Sequence, residues 1–441
     1  MNEMHGRNYG RTCAVMAGMK RQLAAAFVVV AVFVNGCGSA TSGDVAFAAD
    51  VARASTSPAD AITTASSINA FGLDLYRQVG TSGGNVVISP ASVAIALAMA
   101  RAGARGLTAA QMDTVLHGAG SDVNTAGINA LDQGLAARTG TFPDAGGHAL
   151  PVTLRIANAP FAQRDLSLAP AYLEALASRF GAGVRLVDYE ADPEAARQLI
   201  NAWVGGQTEG RIPELLGAGV ITPLTRLTLV NAIYLKAAWE TAFPAEATEP
   251  GSFTRAVGSS VNVPMMRLSA GLGYAEGSSW QAVELPYVGG SLALDVIVPA
   301  DLATFEAGLT PQSLAAITTA LQVREVDLAL PKFSVQTATS LSNALKTLGM
   351  PLAFDPERAD FSGITAQERL FIADVVHQAN IDVDEKGTTA SAASAVVMGG
   401  SAAPAAPVTL RVDHPFLFVL RDIPTGAIVF LGRVADPSTK G

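Results

Sequence analysis

The chain has almost no cysteine, since its 441 residues include only Cys13 and Cys37. Everything after Cys37 therefore folds without a disulfide, a thiolate metal ligand or a cysteine nucleophile. The five histidines are scattered, with no H-x-x-x-H pair. A zinc motif of that kind is thus absent from the sequence. We expect neither a metal ion nor another cofactor.

Positive charge is also scarce, because 29 Lys and Arg residues stand against 38 Asp and Glu, for a formal net charge of -9. No run of five or more basic residues interrupts this acidic balance. Such a chain repels phosphate backbones, so nucleic acid is not an expected partner. Hydrophobic residues make up 49% of the chain, enough to bury a large core.

Motifs for catalysis and nucleotide binding are missing as well. Neither G-x-x-x-x-G-K-[ST] nor G-x-G-x-x-G occurs. A G-x-S-x-G match at residues 80–84 follows a predicted helix and precedes a predicted strand, the reverse of the order that a hydrolase serine requires. We interpret it as a glycine-rich turn, and we predict that the protein is not an enzyme.

The N-terminus has the pattern of an export signal. Lys20 and Arg21 precede twelve apolar residues, 23–34, which have the length of a signal-peptide core and are too few to span a bilayer. Met19 is an alternative initiator. We predict a signal peptide over residues 1–37 and a secreted or cell-envelope protein.

The end of this segment, VNGC at 34–37, resembles the cleavage box of bacterial lipoproteins, although Asn35 departs from the usual small or apolar residue. Lipidation at Cys37 with several acyl chains would attach the protein stably to a membrane. Ordinary cleavage after Ala48 is the alternative. Residues 38–66 are mostly small and polar, which predicts a flexible tether.

The remainder, 67–441, shows no repeat, charge block or linker before residue 390, and we predict one large domain. Apolar periodicity predicts helices over 68–79, over 93–101 with 89–92 as its N-terminal cap, over 171–180 and over 194–204. Strands are predicted over 152–157, 227–235, 282–285, 292–298, 326–330, 371–376 and 416–420. Because helices and strands do not alternate regularly, we predict an α+β fold with largely antiparallel sheets.

Residues 385–407, EKGTTASAASAVVMGGSAAPAAP, have the composition of a linker, yet only 34 residues follow them. A piece that short seldom folds alone, so the tail must pack back onto the domain and the segment must be a long exposed loop. From Thr388 to Val397 it lacks proline, glycine and charge, and its alternate side chains are small or β-branched. The loop could therefore become a strand.

From about Ile68 to the C-terminus, the sequence resembles the serpins. The similarity rests on many short segments in order, which include NVVISPAS at 85–92, LVNAIY at 229–234, ELPY at 284–287, LPKF at 330–333, VHQA at 376–379, DEKGT at 384–388, HPF at 414–416 and LGRV at 431–434. The resemblance implies an α+β fold of three β-sheets and about eight or nine helices, with an exposed reactive-centre loop.

The resemblance also implies a function: irreversible, suicide-substrate inhibition of serine proteases. The protease is expected to form an acyl-enzyme at the scissile bond, after which the loop inserts into the largest sheet. The uninserted fold is then held by a kinetic barrier. The alternative is a non-inhibitory serpin-fold binding or chaperone-like module at the cell surface. We expect a monomer with no membrane contact beyond the possible lipid anchor.

The site residues follow from the same resemblance. The hinge comprises Glu385, Gly387, Thr388 and Ala390, and the shutter, a polar cluster beneath the opening strands, comprises Ser89, Ser92, Asn158 and His377. The scissile bond lies fourteen residues beyond the hinge glycine, which gives Ser401-Ala402, and Met398-Gly399 is the alternative. Small uncharged residues around Ser401 favour an elastase-like or subtilisin-like protease.

Overall fold

The computed structural model describes residues 45–48, 50–121, 124–144, 146–388 and 406–440. Its α-helices in these ranges are α1 Pro58–Val79, α2 Pro90–Gly103, α3 Gly106–Val115, α4 Thr125–Ala136, α5 Pro170–Phe180, α6 Pro193–Gln207, α7 Leu302–Gly308, α8 Pro311–Ala320 and α9 Ser342–Leu348. Its strands are β1 Val45–Ala46, β2 Val86–Ile88, β3 Gly140–Pro143, β4 Ala149–Gln163, β5 Val184–Val187, β6 Leu227–Ala238, β7 Glu249–Thr254, β8 Ser260–Glu276, β9 Trp280–Pro286, β10 Leu292–Pro299, β11 Gln322–Pro331, β12 Phe333–Ser340, β13 Val375–Asp384, β14 Gly387–Thr388, β15 Val408–Arg411, β16 Phe416–Asp422 and β17 Ile428–Val434.

Hydrogen bonding joins these strands into two continuous sheets. The main sheet has the order β1-β5-β4-β6-β14-β13-β12, with β3 beside β4, and the second sheet has the order β15-β11-β8-β9-β10-β16-β17-β2, with β7 beside β8. Only the pairs β4/β5, β6/β13 and β11/β15 are parallel among the described residues. The predicted α+β fold with largely antiparallel sheets is confirmed.

The second sheet is continuous because the 17-residue β8 belongs to two groups of strands. It pairs with β7 and β11 over most of its length and with β9 at its C-terminal end. When β8 is divided where its partner changes, the two groups and the main sheet correspond to the three sheets that the resemblance to the serpins implied.

Helix α2 is almost entirely buried and contacts both sheets. Ser89 caps its N-terminus by accepting a hydrogen bond from the Ser92 backbone N–H at 3.3 Å, and Pro90 fixes the first helical φ. The helix contacts β4 and β6 of the main sheet on one side and β17 of the second sheet on another. Because it is enclosed in this way, nearly every side of it carries buried apolar residues. A helix with a single apolar stripe could not fill this position.

The predicted tether over 38–66 needs correction at its C-terminal end. The structure pairs β1 with β5 at the edge of the main sheet, and α1 begins at Pro58, so the predicted boundary falls inside a helix. Arg53 contributes to this order, because its guanidinium pairs with Asp132 and donates to the Asn129 side chain at 2.9 Å. The small residues Ala61 and Ala65, which suggested flexibility, are buried in the core.

The predicted strand over 371–376 is also wrong for most of its length, since β13 begins only at Val375. The preceding residues have other backbone partners: the Ile372 N–H donates to the Ala353 carbonyl at 2.9 Å. The Asp374 carboxylate accepts hydrogen bonds from Ser340 and Ser342 at 2.5 Å. Ile372 is thus buried without being part of a strand.

The C-terminal residues return to the body of the protein, as the sequence predicted. Strands β16 and β17 pair with each other and lie between β10 and β2, and Phe416, Phe418 and Phe430 are fully buried. The G-x-S-x-G sequence forms a 3₁₀ turn, Gly80–Ser82, between α1 and β2, which confirms its interpretation as a turn. Within the ranges that the structure describes, no helix has the length and apolarity needed to cross a membrane.

Candidate functional site: a slot in the main sheet

The main sheet contains a slot between β6 and β13. At the N-terminal ends of β6 and β13, called the lower ends from here on, the two strands pair directly and in parallel, over 229–232 and 375–378. At the C-terminal ends of β6 and β13, called the upper ends, the two-residue strand β14 lies between them and pairs antiparallel with both. Between these regions, residues 233–236 of β6 and 379–382 of β13 face each other with no described strand in between. This slot is one strand wide.

The hinge residues Gly387 and Thr388 form β14 and already occupy the top of the slot. Gly387 has φ 145°, and a Cβ atom there would lie 2.1 Å from the Ala237 carbonyl oxygen. Only glycine fits this position. Thr388 is 1% exposed, and its hydroxyl lies 2.5 Å from that of Tyr287. The Tyr287 ring stacks on Trp239 at 4.5 Å between centroids.

Glu385 fixes the turn that leads into β14. Its carboxylate pairs with the Lys332 ammonium at 2.6 Å and accepts a hydrogen bond from the Thr248 hydroxyl at 2.7 Å. Burial alone would raise the pKa of Glu385, but the hydrogen bonds from Lys332 and Thr248 outweigh it and hold the pKa below its usual range. The backbone carbonyl of Glu385 also accepts from the Phe243 N–H at 2.9 Å. The start of the loop is thus tied to three other segments.

The four predicted shutter residues lie together below the slot. Asn158 on β4 and His377 on β13 are both in register with Asn231 on the intervening β6, so the three side chains form one row across the sheet. The N-terminus of α2 brings Ser89 and Ser92 beneath this row. Asn231 was missed by sequence reasoning, although a lone amide within the apolar run LTLVNAIYL requires a buried hydrogen-bond partner.

Asn231 connects the whole cluster. Its amide nitrogen donates to the Ser92 hydroxyl at 2.5 Å and to the Asn158 side-chain oxygen at 2.6 Å. Its oxygen lies 2.6 Å from Nδ1 of His377. Because Nε2 of His377 accepts from the Ser89 backbone N–H at 3.1 Å, Nδ1 must carry the proton and donate to Asn231. A strand inserted between β6 and β13 must therefore break the bond between Asn231 and His377.

His377 is fully buried, and this burial lowers its pKa to about 3. The unfolded chain, with an ordinary pKa of 6.5, binds a proton that the folded chain rejects as the pH falls below 6.5. Above pH 6.5 both states are neutral and the contribution of His377 to stability is constant. Below pH 6.5 the folded state loses stability progressively, down to pH 3.

We expect this loss to amount to about 1.4 kcal/mol per pH unit below pH 6. Urea unfolding midpoints at pH 7.5, 6.5 and 5.5 measure it, with His377→Gln as the variant that cannot titrate. His117→Gln, at an exposed position, is the matched control for replacing a histidine by glutamine elsewhere in the fold. An identical slope in wild type and His377→Gln would contradict the assignment.

The remaining predicted site residues lie outside the described residues; they are Cys37, Ala390, Met398, Gly399, Ser401 and Ala402. The last five belong to the 19 residues, 389–407, that link β14 in the main sheet to β15 in the second sheet. In the part of the chain that the structure describes, no three histidine, cysteine or acidic side chains cluster as metal ligands would.

Similarity to known proteins agrees with this architecture. The family model for serpins (serine protease inhibitors) matches residues 66–437. An uncharacterized serpin-like protein of Thermococcus kodakarensis is 38% identical over 375 residues, which cover 84% of this chain and 85% of the relative. Leukocyte elastase inhibitor A of Mus musculus is 34% identical, with 83% of this chain and 97% of the relative covered.

Among solved structures, the native state of the thermophilic serpin tengpin matches with a TM-score of 0.75 and 26% identity, over 89% of this chain and 99% of tengpin. The fold neighbours and the family match agree over the same long region. This similarity supports serine protease inhibition as the general activity. The chain therefore belongs to the serpin family.

Proposed function

We propose that the protein is a suicide-substrate inhibitor of serine proteases, whose loop inserts into the slot between β6 and β13 after cleavage. The single observation that carries this proposal is the position of β14. Its two residues lie in the slot and pair antiparallel with both neighbours, so the next residues of the loop can continue the same strand downward.

The two sides of the slot have matching lengths, which supports insertion without a register shift. Thr388 is paired with Ala237 and Val383, and Asn231 and His377 lie six residues further down their respective strands while opposite each other. If β14 continues in this register, Ser394 comes to lie between Asn231 and His377. Its hydroxyl can replace the hydrogen bond that insertion breaks.

Insertion has a favourable free energy in this arrangement. In the same register Val396, two residues beyond Ser394, comes to lie between Leu229 and Val375, both of which are buried. Burial of a side chain of that size stabilises by about 1.5–3 kcal/mol, and each added ladder hydrogen bond by about 1 kcal/mol. The small side chains of the loop between Thr388 and Val396 can pass into the slot without displacing its walls.

The covalent step needs only groups that the protease supplies. The protease serine Oγ attacks the carbonyl carbon of Ser401, an ester bond forms, and the bond to Ala402 breaks as the Ala402 amine takes the proton from the protease histidine. Insertion then moves the esterified residue away before water can hydrolyse the ester. This chain contributes the substrate segment and the slot, and the protease contributes the catalysis.

Incubation with pancreatic elastase and with subtilisin tests the proposal. We expect a covalent complex that survives SDS, a stoichiometry close to one, and mass spectrometry that places the new N-terminus at Ala402. The mouse relative's name refers to leukocyte elastase, which agrees with a preference for small side chains. A new N-terminus at Gly399 instead would shift the target to proteases that accept longer apolar side chains. Cleavage that always releases active protease would contradict inhibition and favour a non-inhibitory binding module.

Export and lipid attachment at Cys37 form a separate part of the proposal. A basic pair, a twelve-residue apolar core and the VNGC sequence support it. Expression in a bacterium with a radiolabelled fatty acid should label the wild-type protein, and Cys37→Ala should lose the label and leave the membrane fraction. Cys13→Ala is the matched control and should keep both. Unlabelled wild-type protein whose N-terminus is Ala49 would instead support cleavage after Ala48.

A further inference from the structure

A cavity of about 630 Å³ lies between α7, α8 and the turn that joins β8 to β9. Leu309 and Ile317 form its buried floor, and the half-buried rings of Trp280 and Phe305 line it. Its volume is typical of small-molecule sites, which range from about 300 to 1,000 Å³. None of its lining residues belongs to the slot, the hinge or the shutter. The proposed inhibitory mechanism therefore gives this cavity no role.

The turn beneath Trp280 is built to hold the indole ring close to the backbone. The Gly277 N–H donates to the Trp280 carbonyl at 2.9 Å, which closes the turn. A Cβ atom on Gly277 would lie 2.5 Å from Nε1 of Trp280, so any other residue would displace the ring. An aromatic side chain held in this way gives the cavity a fixed wall that can contact an apolar or cationic ligand.

The charged residues that line the cavity are both acidic. Glu276 and Asp301 lie exposed at its rim, and no Lys or Arg lines it. Across the described residues, neither carboxylate forms an ion pair. Glu276 accepts a hydrogen bond from the Tyr274 hydroxyl at 2.7 Å, and Asp301 accepts one from the Thr304 N–H at 2.8 Å. Hydrogen bonds from the Thr304 side chain and backbone lower the pKa of Asp301.

We propose that this cavity binds a small apolar molecule that carries a protonated amine. The apolar floor and aromatic walls take the hydrocarbon part, and the two rim carboxylates take the ammonium group. The arrangement disfavours an anion, which would meet two negative charges without a compensating cation. It disfavours a neutral molecule of the same shape less strongly, because only the charge interaction is lost.

Calorimetric titration with 3,3-diphenylpropylamine tests this assignment on the full chain. The neutral 3,3-diphenylpropan-1-ol and the anionic 3,3-diphenylpropanoate have the same apolar part and serve as matched ligands. We expect one amine per chain, an affinity for the alcohol lower by about ten-fold, and no saturable binding of the acid. Equal affinity for the three ligands, or no saturable heat with the amine, would overturn the proposal.

Two variants localise the site. Glu276→Gln with Asp301→Asn removes both charges and keeps the acceptor for Tyr274 and the helix cap, since Asn caps as well as Asp. We expect it to weaken amine binding by about ten-fold and to leave alcohol binding unchanged. Glu357→Gln, an exposed carboxylate outside the cavity lining, is the matched control and should have no effect.

The second variant, Ala316→Trp, places a large ring at an exposed lining position of α8 and should abolish binding of both ligands. Circular dichroism and retained protease inhibition show that it has folded. Amine binding that survives both variants would assign the ligand to another place on the protein and overturn the proposal.

Discussion

Replacing Thr388 by Arg should convert the protein from an inhibitor into a substrate. Thr388 is 1% exposed in the upper part of the slot, and its hydroxyl contacts that of Tyr287. An arginine there would either bury an unpaired charge, at several kcal/mol, or keep the hinge out of the sheet. Because each 1.4 kcal/mol on the barrier to insertion is a factor of ten in rate, hydrolysis of the acyl-enzyme should win.

Two measurements separate the effect of Thr388→Arg on loop cleavage from its effect on loop insertion. The rate of loop cleavage by elastase should remain near the wild-type value, since the scissile bond lies far along the chain from the substitution. The number of inhibitor molecules consumed per protease should rise at least about ten-fold. Thr388→Ser, which keeps the hydroxyl, should still inhibit, and Thr319→Arg on the exposed side of α8 should behave as wild type. Full complex formation by Thr388→Arg would contradict insertion through this part of the slot.

The hinge illustrates what sequence reasoning could and could not reach. The resemblance identified Gly387 as a hinge residue, and the absence of proline and charge after it predicted a segment able to form a strand. The reason for glycine is the contact of its missing Cβ with the Ala237 carbonyl, which depends on the backbone of β6, a strand 150 residues away in the chain. That two residues already lie in the slot could not be inferred from local pattern.

Buried polar residues show a similar division. Four members of the shutter were predicted from the family pattern, yet Asn231, which bonds to Ser92, Asn158 and His377, was not. Hydrophobic periodicity identifies β6 as a buried strand but does not say which neighbours it has. The rule that a buried amide needs partners would have singled out Asn231, whereas the identity of those partners depends on the register of three strands.

A run of apolar residues predicts a strand wrongly where no neighbouring strand is available to pair with it. Phe371 and Ile372 resemble the start of a strand, but the Ile372 N–H donates to a carbonyl of the 3₁₀ turn Pro351–Phe354, and the Asp374 carboxylate accepts from two serine hydroxyls. A sheet requires a partner as well as a suitable sequence. By the same reasoning, the proposed strand after Thr388 would need β6 and β13 as partners on both sides.

Cleavage of the loop should raise the unfolding temperature of the protein by about 10–20 °C. Continuation of β14 from residue 389 to the level of Val396 would give each new residue a neighbour on β6 and on β13, and about ten net ladder hydrogen bonds at about 1 kcal/mol each would be gained. For a chain of this length, each kcal/mol shifts the midpoint by roughly 1–2 °C, by extension of the trend for smaller domains. Burial of Val396 adds to the effect.

Differential scanning calorimetry before and after limited elastase digestion measures this shift. The cleaved form should unfold at the higher temperature. Those amide hydrogens of 233–236 and 379–382 that point into the slot should exchange more slowly, because on that side they have no strand partner before cleavage, whereas β4 and β12 pair with the other side. Cleaved Thr388→Arg is the control for the cut itself, and it should show no rise because its hinge cannot lead the strand into the sheet. Equal unfolding temperatures for the intact and cleaved wild-type protein would mean that the loop stays outside the slot, since a nick without a new strand adds no hydrogen bonds.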